Sequence, residues 1–271
     1  MLICQLTDLH VVPNGRLAYG RVATNSMVAR AIDRVASLQP QPDVIIVTGD
    51  LTDCGREEEY RLLAGMLERL APPVLVVPGN HDRRENLQAI LPRHLGRLDG
   101  SLLHHVVEDF PVRIVMLDTV VPGHGHGELD AASLGWLEAR LAEQPGKPTI
   151  LAMHHPPFTS GIGHMDEIGL RHPERLAAVV ARHPQVERVV CGHHHRPMTM
   201  RFAGTIASIA PSVVHQVDLD LRPGSAAGFV MEPPAFQLHH WIDGSGLVSH
   251  TVYVDLAEGP YPFNADPDYP G

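Results

Sequence analysis

Val44-Ile45-Ile46-Val47-Thr48-Gly49-Asp50-Leu51-Thr52-Asp53 reads as a strand that ends in acid. Its first four residues are a continuous β-branched run, the pattern of a strand buried on both faces of a sheet. Gly49 then permits a turn, and the carboxylates of Asp50 and Asp53 follow. Four other fragments repeat the arrangement: Asp8-Leu9-His10, Gly79-Asn80-His81-Asp82, His154-His155-Pro156-Pro157 and Gly192-His193-His194-His195. Each directly follows a short apolar run, except the one at Gly79, where Pro78 intervenes. Strand ends of an open α/β sheet converge on one crevice, so side chains distant in sequence meet there.

Outward from these fragments, strands alternate with amphipathic helices. Strands are predicted at Leu2–Leu6, Val44–Val47, Val74–Val77, Leu103–Phe110, Val112–Leu117, Thr149–Met153 and Val186–Cys191. Helical spacing of apolar residues predicts helices over Ala23–Leu38, Arg56–Leu70, Ala131–Leu141 and Pro173–Ala181. From about Thr199 the helical period disappears. Short runs at Gly204–Ile209, Val213–Val217, Phe229–Glu232 and Leu247–Val254 predict a mostly β segment, and Glu258–Gly271, with its prolines, an extended arm. The expected organisation is a catalytic domain over residues 1–198 and a C-terminal β extension over 199–271. That extension completes a layered α/β sandwich and serves as a cap or subunit contact.

The chain has 271 residues, 44% of them apolar and 19% charged, enough for one large core. Its net charge of -10, without any cluster of lysine or arginine, argues against nucleic acid or an anionic membrane as partner. A small anionic substrate stays compatible, since bound metal ions reverse the local field. Three scattered cysteines form no disulfide framework: Cys4 and Cys191 read as small buried hydrophobes, Cys54 as a free thiol in a polar loop. With no signal-like or membrane-spanning stretch, a cytoplasmic protein is expected.

The 19 histidines are the compositional oddity. Two carboxylates, an amide and several imidazoles in one crevice suit a pair of divalent ions, and so hydrolysis of a phosphate ester. Asp8 and His10 are two apart, so on an extended strand end both face one side; His193 and His195 repeat this while His194 points away. Asp50 is placed to reach both ions, and Asn80 offers a weaker, neutral oxygen. Without thiolates, Fe, Mn, Zn or Co all fit such a donor set.

The five motifs, in order and with this spacing, resemble those of the calcineurin-like metallophosphoesterases. Within that family the chain is similar to the class III cyclic nucleotide phosphodiesterase and bacterial glycerophosphodiesterase branch. Leu17-Ala18-Tyr19-Gly20, Asp53-Cys54-Gly55-Arg56, Glu59-Tyr60 and Val214-His215-Gln216-Val217 carry the likeness to the glycerophosphodiesterases. The resemblance runs from Met1 to about Val217. It implies a four-layer α/β/β/α sandwich, one ion held by Asp8, His10, Asp50 and His195, and a second held by Asp50, Asn80, His154 and His193. It also implies in-line attack on a small phosphodiester by a hydroxide bridging the ions, and assembly into a homo-oligomer. His81 and His215 would act as catalytic residues beside the Asp50 bridge. Asn80, His81, His195, His215, Tyr19 and His164 would contact substrate, and Asp53 and Asp82 would support the ligands from behind.

Taken singly, each fragment has a bland reading: a turn with a satisfied histidine, or an Asn or Asp helix cap. His94, His172, His183, His239, His240 and His250 are expected at the surface, and at most one of His104 and His105 inside. His124 and His126 fit a solvent loop, and Met198 and Met200 packing against the extension. The rival functions are a 3′,5′-cyclic nucleotide phosphodiesterase and a non-catalytic scaffold of the same fold. The complete ligand set disfavours the scaffold, and the charge balance disfavours a nuclease.

Overall fold

The computed structural model describes residues 1–98 and 102–263. In chain order come β1 (Leu2–Leu6), α1 (Thr24–Ala36), β2 (Val44–Thr48), α2 (Glu57–Leu67), β3 (Val74–Val77) and α3 (Arg84–Ile90). Next are β4 (His105–Val107), β5 (Arg113–Leu117), α4 (Ala131–Glu143), β6 (Thr149–Met153), α5 (Gly163–Asp166), α6 (Pro173–Val180) and β7 (Val186–Cys191). The chain continues through β8 (Met198–Phe202), β9 (Thr205–Ile209), β10 (Gln216–Val217), β11 (Phe229–Val230), β12 (Ala235–Ile242) and β13 (Gly246–Tyr253).

Two sheets stack face to face. One has the order β13-β12-β1-β2-β3, the other β4-β5-β6-β7-β9-β8, and β10 pairs with β11 as a separate hairpin. Alternate residues of the β-branched runs point to opposite faces, which explains why these strands lack a polar side. Ile3, Val44, Ile46 and Val77 pack inward against Ile114, Met116, Ile150 and Val190 of the facing sheet. Cys4, Ile45, Val47 and Val76 point outward, onto Val28, Ile32 and Val35 of α1 and Tyr60 and Leu63 of α2. On the far side Val115, Leu151 and Val189 meet Leu137 and Leu141 of α4 and Leu176 and Val180 of α6. The result is the four-layer α/β/β/α sandwich expected from the sequence. β1, β2 and β3 run parallel, as do β5, β6 and β7, so their C-terminal ends feed loops towards a common edge.

Several expectations need correction. Ala235–Ile242 was not expected as a strand, yet β12 pairs antiparallel with β1 and places the C-terminal region inside the first sheet. The predicted strand Leu103–Phe110 is confined to β4, because Leu103 N–H turns aside to donate to Asp118. Of Val213–Val217 only the last two residues are strand; Ser212 instead ties its own neighbour by accepting from Val214 N–H. His94 and His239 are buried rather than exposed, the former through a hydrogen bond to the Val74 carbonyl. His104 and His105 are both buried; β4 begins only at His105, so strand alternation does not govern the pair. Met200 is exposed on edge strand β8, while Met198 packs inward. Residues 258–263 of the predicted arm contain no helix or strand, and 264–271 lie outside the described residues. Among the described residues, no helix is long and apolar enough to cross a membrane.

Candidate metal centre

Past their strands, the chain segments carrying the candidate ligands do not stay extended. Asp8, His10, Asp50, His193 and His195 all adopt left-handed backbone, with φ of 53°, 45°, 48°, 74° and 56°. Such conformations cost a non-glycine residue of order 1–3 kcal/mol and persist only where the surroundings hold them. The surroundings here are mutual: Asp8 N–H donates to the Gly49 carbonyl, His10 N–H to Asp50 and Gly192 N–H to His154, each at 3.0 Å. The sequence expectation that Asp8 and His10 share a face of extended strand is therefore corrected; curled backbone, not pleat alternation, brings them together. Glycine is sterically required at Gly79 and Gly192. A Cβ on Gly79 would strike the Asp50 carboxylate and backbone nitrogen, and one on Gly192 would strike Thr7 Oγ1 and, at 2.9 Å, Asp8 Oδ2.

Two sets of donor atoms face each other across Asp50. In one, His10 Nε2 lies 3.2 Å from His195 Nε2 and 3.6 Å from Asp50 Oδ2, and His195 Nε2 is 3.6 Å from Asp8 Oδ1. In the other, His154 Nε2 lies 3.1 Å from Asn80 Oδ1, 3.2 Å from His193 Nδ1 and 3.4 Å from Asp50 Oδ2. All seven residues proposed from the sequence thus converge, and Asp50 Oδ2 belongs to both sets. The outer nitrogen of each imidazole is tied: His154 Nδ1 to Thr48 O, His193 Nε2 to Ile168 O, His195 Nδ1 to His215 O and His10 Nδ1 to Asp53 Oδ1. A carbonyl or carboxylate oxygen only accepts, so those nitrogens carry protons, and in the neutral rings that metal binding requires the inner nitrogens present lone pairs.

This donor set fits a pair of cations. With both rings neutral, lone pairs of His10 and His195 would face each other at 3.2 Å with no proton to share, an arrangement that a cation between them relieves. The carboxylates of Asp8 and Asp50 are buried, and among the described residues only imidazoles approach them within 4 Å as basic partners. Two uncompensated buried carboxylates would be costly without positive charge between them. Burial, before any other cause, holds His193 and His195 well below the usual imidazole range, which keeps both as neutral ligands. Outer N–H groups anchored to carbonyls are the arrangement that orients metal-binding imidazoles elsewhere.

The calcineurin-like phosphoesterase profile matches residues 1–197. A probable glycerophosphodiester phosphodiesterase of Arcobacter nitrofigilis is 42% identical over 264 residues, covering 97% of both chains. The chain belongs to the calcineurin-like phosphoesterase family. A glycerophosphodiester phosphodiesterase of Enterobacter lignolyticus is 35% identical, over 96% of this chain and 94% of that one. A cAMP/cGMP dual specificity phosphodiesterase of Mycobacterium tuberculosis is 33% identical, over 84% and 72%. Among solved structures, purple acid phosphatase from yellow lupin superposes with a TM-score of 0.69 at 14% identity, over 94% of this chain and 51% of that one. A zebrafish dimetal phosphatase gives 0.63 at 14%, over 94% and 99%. These two likenesses show the calcineurin-like phosphoesterase fold alone.

The remaining predicted residues ring this family centre. His81 donates from Nδ1 to Asp53 O at 2.7 Å, and its backbone N–H donates to Asp50 Oδ1 at 2.9 Å. His215 sits 5.4 Å from His10 and 4.6 Å from His195 between ring centroids, with Tyr19 and Phe229 edge-on to it. Tyr19, His164, Met165, Ile168 and Phe229 wall a cavity of about 300 Å³ over the centre. A second cavity, about 480 Å³ and lined by Arg83, Val120, Pro122 and Gly123, shares only Asn80 and His81 with the first. Asp53 supports His10, and Asp82 binds the loops of Asp50 and Asn80 together. His155 lies close enough to His154 and His193 to belong to a ligand cluster. Its ring is instead saturated by Thr119 Oγ1 and the Gly125 carbonyl, so it fastens the 119–127 loop. Sequence reasoning missed this, and also Phe229 and the Ile168 carbonyl. A buried His beside a ligand His was visible; the loop it holds was not.

Proposed function

We propose that the protein is a dinuclear metal-dependent phosphodiesterase of small diesters, with glycerophosphodiesters as the preferred class and 3′,5′-cyclic nucleotides as the second reading. The observation that carries this is the sharing of Asp50 between two sets of inward lone pairs. Asp8, His10, Asp50 and His195 hold one ion; Asp50, Asn80, His154 and His193 hold the other. Bound there, two divalent ions supply Lewis acidity and a deprotonated water at neutral pH. Asn80 and His81, at the junction of the two cavities, position the phosphate so that one ester arm enters each cavity. His81, fixed through Nδ1, keeps Nε2 to exchange a proton with the departing alcohol. His215 packs against the substrate face of His10 and His195, and Tyr19 and Phe229 offer one arm an aromatic wall. Two unequal cavities suit an open-chain diester with distinct alcohols better than a cyclic one, and the 42% relative points the same way.

Loaded with Mn²⁺, the protein will cleave bis(p-nitrophenyl) phosphate faster than p-nitrophenyl phosphate. A monoester preference would remove the diesterase assignment. In a panel of glycerophosphoethanolamine, cyclic AMP and 2′,3′-cyclic nucleotides, the first is expected to show the highest kcat/KM; a cyclic AMP preference would establish the second reading. Asn80→Ala removes a neutral oxygen 3.1 Å from His154 Nε2. Loss of even an outer partner costs a metal site about 10- to 100-fold in affinity, so the second ion should weaken by at least that. Unchanged stoichiometry and turnover in this variant would contradict its role.

The thiols of Cys4, Cys54 and Cys191 are all free, which suits a reducing cytoplasm. Exposed Leu256, Tyr261 and Phe263 near the C-terminus offer apolar surface for a homo-oligomeric contact. The β10–β11 hairpin and Phe229 serve as the cap of the 300 Å³ cavity.

A further inference from the structure

Between the two sheets, where the packed faces are mainly apolar, a chain of polar side chains crosses the core. Gln5 on β1 is fully buried, and its amide nitrogen donates to Thr48 Oγ1 on β2 at 3.0 Å and to the Cys191 carbonyl on β7 at 2.9 Å. Two acceptors on the nitrogen fix the amide's orientation, so Gln5 Oε1 must accept. It accepts from His239 Nε2 on β12 at 2.9 Å. His239 Nδ1 is then an acceptor and takes Ser249 Oγ–H on β13 at 2.6 Å; Ser249 in turn accepts from Arg188 on β7. Burial, and then the nearby Arg188 charge, push His239 down to about 3, so the ring stays neutral as this order of donors requires.

The position of this chain relative to the candidate centre gives it a purpose. Half of the ligand set hangs from the first sheet: Asp8 and His10 after β1, Asp50 after β2, Asn80 after β3. The other half hangs from the second: His154 after β6, His193 and His195 after β7. Apolar contacts between the sheets are non-directional, whereas a functional constellation must be held to about 0.5 Å. Gln5 joins β1, β2 and β7 just upstream of Asp8, Asp50 and His193. Its partner Thr48 also supplies the carbonyl that accepts from His154 Nδ1 at 2.8 Å.

We infer that Gln5, seated by His239, is a positioning residue of the dinuclear centre: its amide sets the registration of one sheet on the other, and so the spacing between the two halves of the ligand set. This rests on the dinuclear reading above.

The test compares wild type, Gln5→Met, and the double variant Gln5→Met/His239→Phe, each prepared metal-free. The readouts are the thermal midpoint, Mn²⁺ stoichiometry and affinity by titration calorimetry, and the exchange-coupled EPR signal of a Mn²⁺ pair. Gln5→Met should lower the midpoint and weaken the second Mn²⁺ by about tenfold, the lower end of what outer partners cost a site. Gln5→Met alone strands the His239 N–H, and removing both members of that buried hydrogen bond relieves the penalty, so the double variant should regain part of the midpoint. Its second-ion affinity and coupled signal should stay impaired, and it carries the test if Gln5→Met alone does not fold. Recovery of affinity together with stability in the double variant would reduce the chain to a stability device and overturn the inference. Wild-type binding of both ions by Gln5→Met would do the same. Uptake of fewer than two ions by the wild type would instead overturn the dinuclear reading itself.

Discussion

Alanine at Asp50 will leave the protein with at most one tightly held ion and lower kcat/KM by about a thousandfold, the scale of losing one preorganised electrostatic partner of the transition state. Asp50 Oδ2 lies within reach of both His10 Nε2 (3.6 Å) and His154 Nε2 (3.4 Å). Its other oxygen accepts the His81 backbone N–H, so its removal also frees the loop that carries Asn80 and His81. The variant should still fold. Against burial, the positive charge of neighbouring imidazoles holds the Asp50 carboxyl well below the usual carboxylate range, while burial first, and with it the Asp50 charge, pushes the Asp8 carboxyl up to about 6. Deleting Asp50 relieves that like-charge crowding in the metal-free protein. Metal analysis after dialysis decides the matter: two retained ions with wild-type turnover would show that another group bridges.

Asp82→Ala is expected to be the most destabilising single change near the centre, by about 3–5 kcal/mol, because it strands several buried donors at once. One carboxylate, with 7% of the residue exposed, accepts from Leu51 N–H (3.0 Å), Thr52 N–H (3.2 Å), Thr52 Oγ1 (3.1 Å), Gly79 N–H (2.9 Å) and Tyr60 OH (2.9 Å). Those donors belong to the loops after β2 and β3 and to α2, so Asp82 is the knot that places Asp50 against Asn80. For a chain of this size the loss corresponds to a fall in Tm of about 10 °C, with turnover reduced in parallel. Asp82→Asn, which keeps one acceptor oxygen, should fall between the two. A melting temperature for Asp82→Ala within about 2 °C of wild type would show that water replaces the carboxylate at little cost.

The two variants separate different levels of design. In the proposed site Asp50 would act on the ions directly, whereas Asp82 and His155 hold the backbone and loops that aim the candidate ligands, as Gln5 does by inference. Outer partners of this sort are why a site assembled from five loops is precise although three of them, after β1, β2 and β7, carry strained, left-handed residues.

Local pattern by itself determined the alternation of strands and helices, the apolar faces, and the five strand-end fragments. β-branched runs and 3.6-residue periods are properties of short segments, and every ligand proposed from them converges in the structure. Pattern did not reveal β12, because Ala235-Phe-Gln-Leu-His-His-Trp-Ile242 carries polar residues where a buried strand shows none. Those polar residues are accommodated by partners outside the strand: His239 is buried because Gln5, 234 positions away, accepts a hydrogen bond from its Nε2–H. His94, sealed by the Val74 carbonyl, and His155, held by Thr119 and Gly125, escaped for the same reason. Tertiary contacts alone decided which ring nitrogen of each imidazole faces inward, since the carbonyl that claims the other nitrogen comes from a different loop. Whether a polar side chain is exposed, structural or a ligand depends on that long-range hydrogen bond, and a hydrogen bond between distant segments leaves no periodic trace in either one.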